Sequence, residues 1–121
     1  LIRTLDQVQA AMHDPATVLM DVRTPEEFAG QFARAPRKGH IPGAVNVPKA
    51  KFNAADGTIR PAETLQNLIQ LQSGQQAVFY CNGGVSASLG FLAARIAGIE
   101  NAAIYDGSWK EWGNQDDTPI E

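Results

Sequence analysis

The alternation of short apolar runs with segments of helical periodicity constrains the fold of this chain more than any other feature. Three apolar runs have the length and composition of buried strands. They are TVLMDV at 17–22, AVFYC at 77–81 and AAIYD at 102–106. Helical patterns at 4–13, 61–72 and 86–98 each precede one of these runs. Strands that alternate with helices indicate βαβ units, so the predicted fold class is α/β with a mostly parallel sheet covered on both faces.

Shorter elements complete this prediction. TPEEF has the pattern of a helix start, with Thr24 as the N-cap and Pro25 in the first turn. AVNV at 44–47 predicts a short strand, and residues 30–43 are expected to form a loop. The polar tail at 114–121 is expected to be solvated.

Composition narrows the classes of function. The chain has 121 residues and a net charge of −3, so it is long enough for one core and gives no electrostatic argument for nucleic acid or an anionic membrane as partner. Its longest apolar runs are too short to cross a bilayer, and the charged N-terminal segment does not resemble a signal peptide. We therefore expect a cytoplasmic protein with no nucleic-acid or membrane partner.

The single cysteine, Cys81, excludes an internal disulfide and a C-x-x-C redox pair. With only two histidines, both far from Cys81 in the sequence, no metal site is expected.

Polar residues follow the predicted strands at the edge where parallel sheets bind ligands. Asp21 and Arg23 end the first strand, Cys81 ends the second, and Asp106 ends the third. Because the carboxyl ends of parallel strands meet, we expect a pocket that contains a thiol, a guanidinium and carboxylates. Asp21 and Arg23 are also suited to a structural ion pair, and that alternative stays open.

The loop after Cys81, NGGV at 82–85, connects a strand to a helix that begins near Ser86. Gly83 and Gly84 allow positive φ values and leave the backbone N–H groups uncovered. Such N–H groups at a helix N-terminus form a nest that stabilises an anion, and the nest would favour a reactive cysteine without a histidine base. A tight turn beside a cysteine that is buried for packing is the alternative.

Two other anion-binding chemistries do not fit this loop. No Gly-Lys-Ser/Thr sequence is present, so a nucleotide P-loop is unsupported. A cysteine phosphatase or arsenate reductase needs an arginine six positions after the cysteine to grip the oxyanion. That position is Ala87, and the next arginine is Arg95.

Four stretches, in order along the chain, resemble the signature blocks of the rhodanese-like sulfurtransferases. They are DVRTPEEF at 21–28, GHIPGAVNVP at 39–48, YCNGGVSA at 80–87 and YDGSWKEW at 105–112. The last two are most similar to the catalytic second domain of tandem thiosulfate and mercaptopyruvate sulfurtransferases. The resemblance implies a five-stranded parallel sheet flanked by helices, in one rhodanese-like domain over 1–121. Since the chain opens on Leu1 and not on methionine, it could be the C-terminal catalytic domain of a longer tandem protein.

The resemblance also implies a role for each site residue. Cys81 would be the catalytic nucleophile that becomes a persulfide. Arg23 would contact an anionic donor, and Asp21 would orient that arginine or the loop. Backbone N–H groups of the loop would hold the terminal sulfur; these residues are Asn82, Gly83, Gly84, Val85, Ser86 and Ala87. Ser86 stands where the family often has threonine, whose hydroxyl can bond the cysteine sulfur.

The implied reaction moves a sulfane sulfur from a thiosulfate-like or mercaptopyruvate-like donor, through the Cys81 persulfide, to cyanide in an assay or a thiol in the cell. It would need no metal or organic cofactor, only the transient persulfide. The expected partners are a small anionic sulfur donor, a thiol or cyanide acceptor, and a preceding rhodanese-like domain. The alternative is a non-catalytic rhodanese-like module that binds or regulates a partner.

The loop departs from the best-known members of the family. The thiosulfate type resembles Cys-Arg-Lys-Gly-Val-Thr and the mercaptopyruvate type Cys-Gly-Ser-Gly-Val-Thr, whereas Asn82 and Gly83 match neither. Without loop cations, Arg23 is the main predicted positive charge, and the physiological donor stays open. Outside the loop, the basic cluster at 34–38 is expected to be solvated, with steering of anions toward the pocket as the alternative. His40 is expected to make a structural hydrogen bond. Trp109 is expected in the core or the pocket wall.

Overall fold

Five parallel strands form the centre of the computed structural model, which describes residues 1–121. They are β1 (Ile2–Arg3), β2 (Thr17–Asp21), β3 (Val45–Asn46), β4 (Gln76–Tyr80) and β5 (Ala102–Tyr105). The strand order across the sheet is β1-β5-β4-β2-β3, and every neighbouring pair is parallel. The predicted α/β class with a five-stranded parallel sheet is confirmed.

Helices cover both faces of this sheet. They are α1 (Leu5–Ala11), α2 (Pro25–Phe28), α3 (Ala62–Leu68), α4 (Val85–Ile96) and α5 (Ser108–Trp112), with a 3₁₀ turn at Lys49–Phe52. The predicted cap of α2 is confirmed: Thr24 Oγ1 accepts the N–H of Glu27, and Glu27 Oε1 accepts the N–H of Thr24 in return. Such a capping box satisfies two helix-end donors at once. No helix of the structure combines the length and apolarity that crossing a membrane requires.

Strand β4 separates two apolar clusters, because successive side chains of a strand point to opposite faces. Phe79 lies in the cluster that includes residues of α3 and α4, and Tyr80 lies in the one that includes α1 and α5. Cys81 returns to the α3–α4 side. Trp109 is fully buried in the other cluster, as the sequence predicts.

Helix α4 packs very closely against β4. A Cβ atom at Gly90 would lie 2.6 Å from Cδ1 of Phe79, so no larger residue fits there without a shift. This contact fixes α4 against β4, the strand that leads into Cys81 and the loop after it. It therefore fixes where the first turn of α4 can lie.

One predicted helix boundary is wrong, and two short elements were not predicted. Helix α3 ends at Leu68 and not at residue 72, because Ile69 adopts φ −107° and ψ 82° and buries its side chain in the core. The sequence analysis misses β1, whose two residues pair with β5 at the sheet edge but are too few to show a period. It also misses the 3₁₀ turn, which follows Pro48.

The tail at 114–121 is mostly exposed, as predicted, except at Thr118 and the half-buried Ile120. Thr118 is buried, and its hydroxyl donates to the carbonyl oxygen of Trp112 over 2.7 Å. Arg37 donates to the carbonyl oxygen and the hydroxyl of Thr118 over 2.8 and 3.0 Å, so this member of the basic cluster is not simply solvated. Polar tail residues here serve as hydrogen-bond partners, a role that composition does not indicate.

Candidate active site

The carboxyl ends of β2 and β4 lie side by side, since Asp21 of β2 is in register with Tyr80 of β4. Cys81 lines a cavity of about 420 Å³ that opens at this edge. The start of α2, the 3₁₀ turn and the first residues of α4 form the rest of its wall. The structure thus brings the predicted strand-end residues to one place, with Asp106 behind the loop.

Cys81 is held through both its side chain and its backbone. Its Sγ atom accepts the N–H of Gly84 over 3.0 Å. The Cys81 N–H donates to Ser108 Oγ over 3.1 Å, and the Ser108 hydroxyl donates to the carbonyl oxygen of Tyr105 over 2.9 Å. Ser108 has a φ of 54°, the one positive φ outside glycine in the chain. The sequence places Ser108 just after the third strand end but indicates no role for it beyond its position in the YDGSW block.

Gly84 is required at its position for two reasons. Its φ is +95°, in the left-handed region, and a Cβ there would lie 2.9 Å from both the carbonyl oxygen and Oδ1 of Asp106. Gly83 differs, because its φ is not positive and nothing lies within 4 Å of its would-be Cβ. The expectation that both glycines serve positive φ values is therefore met only at Gly84, while Asp106 is a neighbour of the loop.

The loop leaves a set of backbone donors without acceptors in the chain. Apart from Gly84, which donates to sulfur, the N–H groups from Asn82 to Ala87 make no hydrogen bond. Three of them belong to the first turn of the 12-residue helix α4, where N–H groups have no intrahelical partner and the helix dipole favours anions. Ser86 lines the cavity, but its hydroxyl makes no hydrogen bond to Cys81.

Asn82 is tied to helix α2. Its Nδ2 donates to Glu27 Oε2 over 2.8 Å, while Glu27 Oε1 accepts the Thr24 hydroxyl over 3.0 Å. Burial alone would raise the pKa of Glu27, but the hydrogen bonds from Asn82 and Thr24 and the charge of Arg23 hold it below its ordinary value. An ionised carboxylate therefore positions Asn82, the first residue of the loop. Sequence reasoning assigned Glu27 only to the helix start.

Asp21 and Arg23 form a buried ion pair. Arg23 Nη2 lies 2.6 Å from Asp21 Oδ2, and neither side chain has any exposed surface. Nη2 also donates to the carbonyl oxygen of Gly39 over 2.6 Å, and the guanidinium lies 4.5 Å from the ring of Trp109. Although burial opposes the charge, the bonds and charge of Asp21 raise the pKa of Arg23 above its ordinary value.

This geometry is the structural ion pair that the sequence left open as the alternative. Nε and Nη2 of Arg23 donate to the carboxylate of Asp21. Nη1, in contrast, is buried without a hydrogen-bond partner, and Arg23 lines the cavity. A donor can therefore contact Nη1 while the ion pair stays intact, so the role of Arg23 in donor binding and that of Asp21 in orienting it both stay predictions.

Accessible charge at the cavity comes from residues that the sequence analysis did not assign to the site. Arg34 and Lys49 are exposed cations in its wall, and Glu26 is an exposed acid there. Arg34 was predicted in a solvated loop, with steering of anions toward the pocket as the alternative, and Lys49 was not considered. The only sequence signal for Lys49 is its place directly after the 39–48 block.

His40 has a structural role, and the structure has no cluster of metal-ligating side chains. His40 Nδ1 lies 2.8 Å from the carbonyl oxygen of Phe28, and the two rings stack at 3.7 Å, so the predicted structural hydrogen bond is confirmed. No group of three or more His, Cys, Asp or Glu side chains lies together in a way that could hold a metal ion.

Comparison with known proteins identifies close relatives of this arrangement. The model of the rhodanese-like domain matches residues 4–115. A putative thiosulfate sulfurtransferase of Haloferax volcanii is 38% identical over 96% of this chain and 44% of its own length. The mitochondrial thiosulfate/3-mercaptopyruvate sulfurtransferase 1 of Arabidopsis thaliana is 36% identical over 100% of the chain and 34% of its own length.

A sulfur carrier protein of Thermus thermophilus, TtuD, is 38% identical over 84% of the chain and 40% of its own length. Among solved structures, EanB bound to ergothioneine superposes with a TM-score of 0.90 at 24% identity, over 99% of this chain and 31% of EanB. That likeness concerns the fold. The chain spans less than half the length of the curated relatives it matches.

Proposed function

Because the chain belongs to the rhodanese-like domain family, we propose that it is a sulfurtransferase that carries a sulfane sulfur on Cys81. One observation carries the proposal: Cys81 Sγ accepts the Gly84 N–H over 3.0 Å at the wall of an open cavity, inside a loop of unused N–H donors. The names of the relatives support sulfur transfer, and two of them name thiosulfate or mercaptopyruvate as donors.

In the first half-reaction, the Cys81 thiolate attacks the outer sulfur of the donor. With thiosulfate, an Sγ–S bond forms while the S–S bond of thiosulfate breaks, and sulfite leaves with the electron pair. Nothing is oxidised or reduced overall, so no external oxidant or reductant is needed. This is covalent catalysis by an activated thiol.

The loop would hold the transferred sulfur. The terminal sulfur of a persulfide carries negative charge, and the N–H groups from Asn82 to Ala87 are donors without partners in the chain. Preorganised donors stabilise such charge better than water does, because they need no reorganisation when the charge arrives. The positive end of α4 adds to this field.

In the second half-reaction, an acceptor attacks the outer sulfur of the persulfide and the Cys81 thiolate leaves. Cyanide gives thiocyanate in an assay, and a thiol gives a new persulfide in the cell. The sequence of steps is ping-pong, and we propose that it proceeds without metal or organic cofactor. A cytoplasmic location, where thiol acceptors remain reduced, is part of this proposal.

The test is thiocyanate formation from thiosulfate and cyanide by the wild-type chain and by Cys81→Ala. We expect the variant to lose essentially all transfer while unfolding at a similar denaturant concentration, because deletion of one sulfur atom leaves the backbone of the loop in place. Full activity in Cys81→Ala would overturn the proposal. A wild-type protein that gains no sulfur from any donor would instead favour the non-catalytic binding module.

A further inference from the structure

The cavity wall combines charges of both signs. Arg23 lies in this wall paired with Asp21, whereas Glu26 and Glu27 on its α2 part and the cations Arg34 and Lys49 have no salt-bridge partner in the chain. The one other salt bridge joins His40 to Glu121, so these four charges are not neutralised within the chain.

The acidic side of the cavity, formed by Glu26 and Glu27, has unused hydrogen-bonding capacity. Each oxygen of a carboxylate can accept about two hydrogen bonds. Glu27 Oε1 accepts the N–H and the hydroxyl of Thr24, but Oε2 accepts only Nδ2 of Asn82. One acceptor position at Oε2 therefore remains, and the depressed pKa of Glu27 keeps this carboxylate ionised at neutral pH. An ammonium group is the natural occupant of such a position.

The basic side and the size of the cavity limit the ligand further. Arg34 and Lys49 make no hydrogen bond within the chain through their side chains, so they are available for a carboxylate. Apolar wall residues such as Val22, Pro48 and Val85 suit a short aliphatic segment. The volume of about 420 Å³ is in the range that binds organic molecules, and an inorganic dianion such as thiosulfate would fill only a small part of it.

We propose that the preferred sulfur donor is the persulfide of a zwitterionic amino acid, its ammonium on the side of Glu26 and Glu27 and its carboxylate on the side of Arg34 and Lys49. The inference rests on the proposed function, because it assigns the donor of the same Cys81 chemistry. Thiosulfate would bring two negative charges beside an ionised carboxylate, and a donor with a carboxylate alone would leave the acidic side unpaired.

The transfer step balances without a further reactant. The Cys81 thiolate attacks the terminal sulfur of R–S–SH, the Sγ–S bond forms, and the S–S bond of the donor breaks. The amino-acid thiolate leaves with the electron pair and takes a proton from solvent. Sulfane sulfur moves from one thiol to another, so the oxidation level is unchanged.

The test compares three matched donors: cysteine persulfide, 3-mercaptopropionate persulfide, which lacks the ammonium, and cysteamine persulfide, which lacks the carboxylate. The second-order rate of sulfur gain at Cys81 is followed by intact mass after rapid alkylation. Each rate is divided by the rate of the same donor with a small free thiol, which removes differences of intrinsic reactivity. We expect cysteine persulfide to exceed each truncated donor about two- to fivefold, the factor of an accessible ion pair.

Two charge-neutralised variants assign the two sides. In Glu26→Gln/Glu27→Gln, cysteine persulfide should lose its advantage over 3-mercaptopropionate persulfide but keep its advantage over cysteamine persulfide. Arg34→Gln/Lys49→Gln should show the reverse. Ratios between donors within one variant cancel any general change in the reactivity of Cys81, including one caused by loosening of the contact between Asn82 and residue 27.

Equal rates for the three donors in the wild-type protein, or advantages that neither variant removes, would overturn the zwitterion proposal and leave the persulfide mechanism intact. If no donor, thiosulfate included, adds sulfur to Cys81, the proposed function fails and the donor assignment fails with it.

Discussion

Strands β2 and β4 end side by side at the same edge of the sheet, but the polar groups that follow them are used in opposite ways. After β2, Asp21 and Arg23 pair with each other in the core, and only Nη1 of Arg23 is left without a partner. After β4, Cys81 accepts one N–H, while most N–H groups from Asn82 to Ala87 have no partner in the chain. The first strand end uses most of its polar groups internally, whereas the second leaves most of its N–H donors available for a ligand.

This difference assigns mainly a structural role to the residues after β2 and a ligand-binding role to the loop after β4. The ion pair packs against Trp109 in the core. The N–H donors without partners in the neighbouring loop can bind an anionic sulfur. A charged residue near a reactive cysteine is therefore not necessarily a substrate ligand. The exposed charges of this cavity are instead those of Glu26, Arg34 and Lys49.

We expect the largest effect on the free energy of unfolding when the ion pair after β2 is broken. Arg23→Met leaves the carboxylate of Asp21 buried without its cation, and loss of one partner of a buried pair costs about 3–5 kcal/mol in the free energy of unfolding. The double variant Asp21→Leu/Arg23→Met removes both charges and should recover much of that loss. Urea unfolding of the wild type, both single variants and the double variant measures the coupling.

The same double variant tests whether Arg23 is only structural. If it is, the folded double variant should gain sulfur from thiosulfate with a KM close to that of the wild type. A large rise in KM with unchanged kcat would mean that Arg23 binds the donor, as the family resemblance implies. Both strand ends would then take part in donor binding.

The next largest effect is expected from a change in the loop after β4. Gly84→Ala forces a Cβ into a left-handed residue at 2.9 Å from Asp106, whereas Gly98→Ala has a similar φ of +85° with nothing within 4 Å. Both should lose about 1–2 kcal/mol from the left-handed backbone, and Gly84→Ala should lose more because of the contact. Only Gly84→Ala should slow sulfur transfer, by about tenfold or more, since its N–H is the one that reaches Sγ. Equal transfer rates in the two variants would show that this N–H has no part in the reaction.

The smallest effect concerns the contact that anchors the loop to α2. The pKa of Glu27 lies below its ordinary value of 4.5 in the folded chain, so its contribution is present above that value and is lost as the pH falls through the lower, folded pKa. We expect the difference in unfolding free energy between wild type and Glu27→Gln to shrink below about pH 4.5. The exposed Glu63→Gln variant controls for removal of a carboxylate. A difference that stays constant down to acid pH would contradict the assignment.

Much of the fold follows from local patterns in the sequence. The capping pairs at Thr24 and Glu27, the left-handed Gly98 after α4, and the alternation along β4 all appear in the structure where the residues place them. The failures have a common physical origin. Strand β1 and the burial of Thr118 in the tail depend on contacts with distant segments, such as Ile2 with β5 and Arg37 with Thr118, and a local pattern does not indicate those contacts.

The candidate site divides in the same way. The sequence indicates Cys81 and its glycine loop, because the spacing of strand, glycines and helix is local. It cannot show that Arg23 is buried, that Ser108 receives the Cys81 N–H, or that Arg34 and Lys49 reach the cavity. Each of these depends on how loops of different strands fold over one edge of the sheet.

The most direct test of the central claim uses thiosulfate labelled in its outer sulfur. After brief reaction with the wild-type chain and digestion without reductant, we predict the label on the peptide that contains Cys81, and its release as labelled thiocyanate when cyanide is added. Cys81→Ser should carry no label. Formation of labelled thiocyanate while the Cys81 peptide remains unlabelled would contradict the account.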